Sequence, residues 1–208
     1  MMQDVKPRLD RDARREAILD VASDVFLEEG YANASMSTIA ARLGGSKGTL
    51  YNYFKNKEQL FAGYVVRHCA WQRDAMFEIS SEVDDIRAAL TKVGRSYLSI
   101  VLSDFSMANL RVIVAEAQRT PEIGQAFYEA GPRSGSQLLG AILKRAADSG
   151  QLKMDDPVRA AHQFIALCQN RMLKARLCNA MAAPTPEEID REVLPAVAMF
   201  LAAYGTGR

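Results

Sequence analysis

Residues 35–54 read SMSTIAARLGGSKGTLYNYF, and the rest of the chain is best understood outward from this stretch. Ser35 or Ser37 is placed to cap a short helix over 36–43, whose inward stripe is Met36, Ile39, Ala40 and Leu43. Gly44-Gly45-Ser46 then makes a tight turn, where glycine takes positive φ without a steric penalty. Ser46 caps a second short helix over 47–54, with Leu50 and Phe54 facing inward. Two short helices across a glycine-containing turn form a helix-turn-helix, a motif that lays its second helix in the DNA major groove.

The outer face of that second helix suits the task. Lys47 stands at the helix N-terminus, where its charge and the free backbone amides both attract anions. Thr49, Tyr51, Asn52 and Tyr53 offer hydroxyls, an amide and aromatic faces for phosphates and base edges. Lys55 and Lys57 follow and add phosphate contacts. The string GGSKGT superficially resembles a phosphate-binding loop, but its order is wrong. That loop needs Gly-Lys-Ser/Thr after a strand, whereas here Lys precedes Gly and helices flank both sides.

Charge follows the same division. From Gly30 to Lys57 the basic residues are Arg42, Lys47, Lys55 and Lys57, with no Asp or Glu. Four positive charges there, against +1 for the whole chain, leave the remainder at −3. A local cationic patch on a mildly acidic body suits an anionic partner docked at one place.

Outward from the motif the pattern stays helical. Ile18, Val21, Ala22, Val25 and Phe26 predict a helix over 11–29 that ends at Gly30. Further stripes at three- and four-residue steps run from Ile86 to Ile100, from Val158 to Ala175 and from Ile189 to Tyr204. Asn56 with Gln59, and Thr185 with Glu188, resemble capping boxes. Thr120-Pro121, Asp156-Pro157 and Thr185-Pro186 place a capping residue before a first-turn proline. Gly131-Pro132 and Gly150 close or interrupt helices. No segment alternates with period two, so the fold class is all-α.

Composition bounds the function. The 208 residues are 49% hydrophobic and 25% charged, an ordinary globular balance. The longest uncharged stretch, Val193 to Gly207, contains Pro195 and falls short of the ~18 apolar residues of a membrane span. The opening MMQDVKPRLD has no apolar segment and does not read as a secretory signal. Cys69, Cys168 and Cys178 are odd in number and irregularly spaced, which fits a reducing cytoplasm rather than a disulfide or zinc scaffold. With His68 and His162 as the two histidines, no triad or metal constellation stands out, so neither an enzyme nor a cofactor is expected. His68-Cys69 are adjacent on a helix and point about 100° apart, which argues against a nucleophile–base pair.

The strings AILDVASDVFLEEGY (17–31) and SMSTIAARLGGSKGTLYNYFKNKEQLF (35–61) resemble the DNA-binding domain of the TetR family of bacterial transcriptional regulators, over about a quarter of the chain. The run Val112 to Leu167 is similar to the C-terminal domain of the AefR-like subgroup. The resemblance implies a three-helix DNA-binding domain over 1–56 and a helical effector-binding and dimerisation bundle over 57–208. It implies DNA contacts from Lys47, Gly48, Thr49, Tyr51 and Tyr53, and phosphate contacts from Ser35 or Ser37 and from Lys57. Gly45 departs from the family, which usually has an apolar residue there, and its loss should loosen the turn.

The expected function is a ligand-responsive regulator, read as a repressor, that binds a palindromic duplex operator as a homodimer. A small all-α ligand-binding or sequestering protein with a vestigial helix-turn-helix is the alternative. A recognition helix reads few base pairs, so a two-fold dimer is needed. The apolar stripes Val158, Ala161, Ile165, Cys168, Met172 and Ala175, and Val193, Val197, Phe200 and Tyr204, are the expected interface. Trp71, Tyr97, Phe105, Met107, Phe127, Phe164 and Met172, with Phe77 and Tyr128, are the expected lining of a cavity for an apolar or aromatic effector. No membrane partner is expected.

Overall fold

The computed structural model describes residues 11–77 and 85–207, so the stretch MMQDVKPRLD lies outside the described residues. Helices account for the regular structure among them, and the one β feature there is an isolated bridge between Leu152 and Gly205. The chain divides into two units, Met1–Arg67 and His68–Arg208.

The first unit begins with α1 (Arg11–Asn33), which Gly30 breaks at φ 73°, so that regular helix ends where the sequence places its stop. Helices α2 (Met36–Arg42), α3 (Lys47–Tyr51) and α4 (Lys57–Met76) follow. Ile18, Leu19, Ala22 and Val25 of α1 bury completely, and Ile39, Leu50, Leu60 and Phe61 join them. Phe26, Tyr31, Phe61 and Tyr64 close this core, with Phe26 edge-on to Phe61 at 5.0 Å between ring centres. Arg67 of α4 reaches α1 through Asp20 at 2.6 Å and the Glu16 carbonyl at 3.2 Å. The division into units falls inside α4 because its first half, Leu60, Phe61, Tyr64 and Val65, belongs to this core.

The second unit holds α5 (Ile86–Val101), α6 (Asp104–Ala117), α7 (Pro121–Tyr128), α8 (Ser134–Asp148), α9 (Pro157–Gln169), α10 (Met172–Leu177) and α11 (Pro186–Tyr204). Caps mark the boundaries. Asp85 and Asp156 accept from first-turn amides, and Thr185 and Glu188 form a reciprocal capping box. Thr120 precedes Pro121 but makes no side-chain cap bond, against expectation. Gly131-Pro132 interrupts the α-helical run rather than closing it. The segment Glu129–Arg133 adopts a π turn between α7 and α8, and this absorbs the missing proline N–H.

The core of this unit lies between α5, α8, α9 and α11, with Leu90, Val93, Leu98, Leu139, Leu143, Phe164, Val193 and Phe200 at its centre. Phe164 and Phe200 meet edge to face at 5.5 Å. Arg95 of α5 binds Asp190 of α11 through two bonds of 2.6 and 2.9 Å. The stripe expected to run unbroken from Val158 to Ala175 is split. Asn170, at φ 33°, separates α9 from α10.

Candidate nucleic-acid interface and ligand cavity

The helix-turn-helix is built by two serine caps and a wedge. Ser35 Oγ accepts the Thr38 amide at 3.1 Å and starts α2, and Ser46 Oγ accepts the Thr49 amide at 3.2 Å and starts α3. Between them Gly44 takes φ +66°, a conformation that side chains disfavour. Leu50 buries completely and Phe54 almost so, which fixes the rotation of α3. Helical bonding runs past the regular helix, since the Phe54 amide donates to the Leu50 carbonyl at 3.0 Å. Lys47, Gly48, Tyr51, Asn52 and Lys55 are therefore exposed on one side of the segment, with Thr49 and Tyr53 half-buried beside them. Ser37 is exposed, and Ser35 is half-buried at the start of α2.

Two basic residues are placed differently from a simple cationic patch. Arg42 pairs with Glu28 at 2.6 Å and Glu29 at 3.3 Å, so its charge is balanced by acids just upstream of the acid-free segment. The Lys57 ammonium donates to the Tyr31 carbonyl at 2.7 Å and sits 4.3 Å from the centre of the Tyr31 ring. It braces the end of α1 and keeps further N–H capacity for a phosphate. The Gly45 departure also has a structural answer. A Cβ there would lie 3.3 Å from a guanidinium nitrogen of Arg14, so an arginine from α1 occupies the turn in place of an apolar side chain.

The second unit contains a cavity of about 380 Å³, within the ~300–1,000 Å³ typical of ligand pockets. Of the expected lining residues, Tyr97, Met107, Phe127 and Phe77 are there. Trp71, Phe105 and Tyr128 are instead exposed, and Phe164 and Met172 are packed inside the core. The apolar wall comes from Val93, Val101, Ile113 and Leu173 among others.

Sequence reasoning missed the polar half of the lining. Gln72 of α4 donates to Ser106 of α6 at 2.7 Å. Gln169 of α9 is bonded to the Tyr97 hydroxyl of α5, and Ser136 of α8 to His162 Nδ1 of α9 at 3.1 Å. Arg73 is paired with Asp74 at 3.1 Å and donates to Ser134 at 3.3 Å. The available signal was in α9, where His162, Ile165, Ala166 and Gln169 share a helical face beside the core stripe of Ala161, Phe164 and Cys168. Burial pushes the Tyr97 phenol up to about 12, partly offset by the Gln169 bond. It pushes the Cys69 thiol up to about 11, so this thiol is protonated at neutral pH, which supports no nucleophile beside His68.

The expected dimer stripe also sits elsewhere. Ala161, Cys168, Met172, Val193, Val197 and Phe200 all lie in the chain's own core and cannot face a partner. Ile165, half-buried, lines the cavity, and Tyr204 is half-buried and bonded to Gln163. Arg171 and the turn at Asn170 put Ala175 on a different helix from Val158. What remains outward on α11 is a second apolar stripe, Leu194, Pro195, Ala198, Met199 and Ala202, with Val158 exposed on α9.

A capped helix-turn-helix presenting a basic, acid-free recognition segment, beside an all-helical unit that contains a cavity, defines a helix-turn-helix DNA-binding regulator. Comparison with known proteins gives the same class. Residues 18–64 match the bacterial regulatory proteins of the tetR family, and residues 88–206 match the C-terminal domain of AefR-like transcriptional repressors. The chain belongs to the TetR family of bacterial transcriptional regulators. It is similar to the fatty acid metabolism regulator protein of Bacillus subtilis (strain 168), with 29% identity over 148 residues, 71% of this chain and 75% of that one. The structure of the flavonoid-responsive regulator FrrA superposes with a TM-score of 0.80 at 30% identity, over 94% of this chain and 98% of that one. A TetR-family regulator from Mesorhizobium loti MAFF303099 superposes with a TM-score of 0.86 at 25% identity, over 95% of this chain and all of that one.

Proposed function

We propose that the protein is a ligand-responsive repressor that binds a palindromic operator as a homodimer in the cytoplasm. The observation that carries this reading is the exposed side of the α3 segment, where Lys47, Gly48, Tyr51, Asn52 and Lys55 are held outward by the buried Leu50 and Phe54. Tyr51, Asn52 and Thr49 read base edges, with Tyr53 at the edge of the contact. Lys47 and Lys55 meet phosphates, joined by Ser35, Ser37 and the braced Lys57. Repression is supported by the match of the C-terminal unit to the AefR-like transcriptional repressors.

The functional division is a DNA-binding part over 1–56 and an effector-binding and dimerisation part over 57–208. The partner surface is the outward stripe of α11, since the inward one is used by the core. Helix α4 connects the two activities. Its first half supplies Leu60 and Phe61 to the core of the DNA-binding unit, and its second half supplies Cys69 and Gln72 to the cavity wall. A ligand that binds one setting of α4 better than another shifts the population that fits the operator, by no more than its differential affinity.

The test is a titration of wild-type and Lys47→Ala protein against duplex DNA at several salt concentrations. In a homodimer the substitution removes two phosphate contacts, so it should weaken binding to every sequence and lower the slope of log affinity against log salt by about 2. An unchanged slope and affinity would remove α3 from the DNA interface.

A further inference from the structure

The cavity wall carries a chemical specification. Three hydrogen-bonded polar pairs stand at three different helix junctions: Gln72–Ser106 between α4 and α6, Tyr97–Gln169 between α5 and α9, and Ser136–His162 between α8 and α9. Ser106 is fully used, donating to the Ile100 carbonyl and accepting from Ser103 and Gln72, but Gln72 keeps its carbonyl lone pairs. In the other two pairs an amide keeps its carbonyl lone pairs, a hydroxyl a second lone pair and an imidazole its other nitrogen. Between the pairs the wall is apolar and partly aromatic, with Phe77, Phe127, Val101, Ile113 and Leu110.

Formal charge is nearly absent. Among the described residues, no Asp or Glu lines the cavity, and the one guanidinium there, Arg73, is already held by Asp74 at 3.1 and 3.2 Å. The Tyr97 phenol and the Cys69 thiol are both raised by burial and are uncharged at neutral pH. A cationic ligand would lose its hydration with no counter-ion to replace it. A long acyl chain needs a continuous apolar tunnel, and here it would strip water from polar pairs on several sides without bonding them.

We propose that this cavity takes a compact, uncharged, hydroxylated aromatic compound, its ring against Phe127 and the aliphatic wall and its hydroxyls on Gln72 and on the Tyr97–Gln169 and Ser136–His162 pairs. The assignment rests on the effector reading above and narrows it to a ligand class. His162 and Ala166, which line the cavity and are also exposed, mark the side from which such a compound reaches it.

Calorimetric titration of the DNA-free protein tests the class with four probes: naringenin, the same ring system without hydroxyls (flavanone), palmitate and tetraphenylphosphonium. The expected result is binding of naringenin at least roughly 10-fold tighter than flavanone, since each lost hydrogen bond removes up to about a tenfold factor. Palmitate and tetraphenylphosphonium should bind more weakly still. Gln72→Leu and Gln169→Leu should each narrow the gap between naringenin and flavanone. Equal binding of these two, tighter binding of palmitate or the cation, or no binding of naringenin would overturn the proposal. Operator release is read separately by fluorescence anisotropy. If naringenin binds as expected yet leaves operator affinity unchanged, the ligand class stands and the regulatory reading of the cavity fails.

Discussion

Arg176 is 3% exposed, and each of its three guanidinium nitrogens donates a hydrogen bond. It donates to the Leu102 carbonyl at 3.0 Å, the Met181 carbonyl at 2.8 Å and the Asp104 carboxylate at 2.7 Å, and Arg111 adds bonds to the carbonyls of Arg176 and Leu177. Buried charge is tolerated when so fully bonded. No sequence pattern announced this, because two of the three partners lie more than seventy residues away. Arg42 and Arg14 carry the same lesson. Counting charges placed Arg42 in a cationic patch, whereas its side chain is turned back onto Glu28 and Glu29. By contrast Ser35, Ser46 and Leu50 were legible, because capping and inward spacing are local rules. Burial raises Cys69 from 9.0 to about 11, Cys168 from 9.0 to about 12 and Tyr97 from 10.0 to about 12. A raised pKa on an acid favours the neutral form in the folded state. That stability is complete below the unfolded values and is lost as pH climbs through 9 to 12, at up to about 1.4 kcal/mol per group per pH unit. Thermal melts should therefore be level near pH 7 to 8 and fall steeply above pH 9, and a melting temperature unchanged at pH 10.5 would contradict the burial of these groups.

Element by element, the sequence revealed where helices lie better than which way they face. Helix α11 shows why. Ile189, Val193, Val197 and Phe200 form one stripe, while Leu194, Pro195, Ala198, Met199 and Ala202 form another, so from Val193 onward the helix is apolar nearly all round and periodicity cannot choose between the two. The close packing of α5 explains the choice made. A Cβ on Gly94 would come within 2.8 Å of Val193 Cγ1, so glycine lets α5 and α11 approach at this point. Gly94→Ala gains about 0.5–1 kcal/mol of helix propensity and loses about 1–3 kcal/mol to overpacking. A net destabilisation of roughly 1–2 kcal/mol in urea unfolding is expected; a stabilised variant would mean the two helices do not meet there. On the outward face, Met199→Asp should convert the dimer to monomer in analytical ultracentrifugation while leaving helical circular dichroism intact. A dimer that survives would move the partner surface off α11. The split of α9 from α10 was hidden for a different reason, since Asn170 interrupts the backbone without interrupting the apolar spacing.

For the whole molecule, the cavity and the recognition helix belong to different units, and α4 contributes to both. The sequence made the helix-turn-helix plain because its function sits in consecutive residues. The cavity is assembled from α4 to α10, so its polar pairs emerge only in three dimensions. On this reading two copies of the α3 face bind an inverted repeat. Selecting bound duplexes from a random-sequence pool, with wild-type protein and with Tyr51→Ala, tests it most directly. The expected result is enrichment of two inverted half-sites, one helical turn or a multiple apart (about 10 base pairs per turn), and an altered half-site preference for the variant. Retention of duplexes that disappears with added salt and enriches no motif, with either protein, would contradict it.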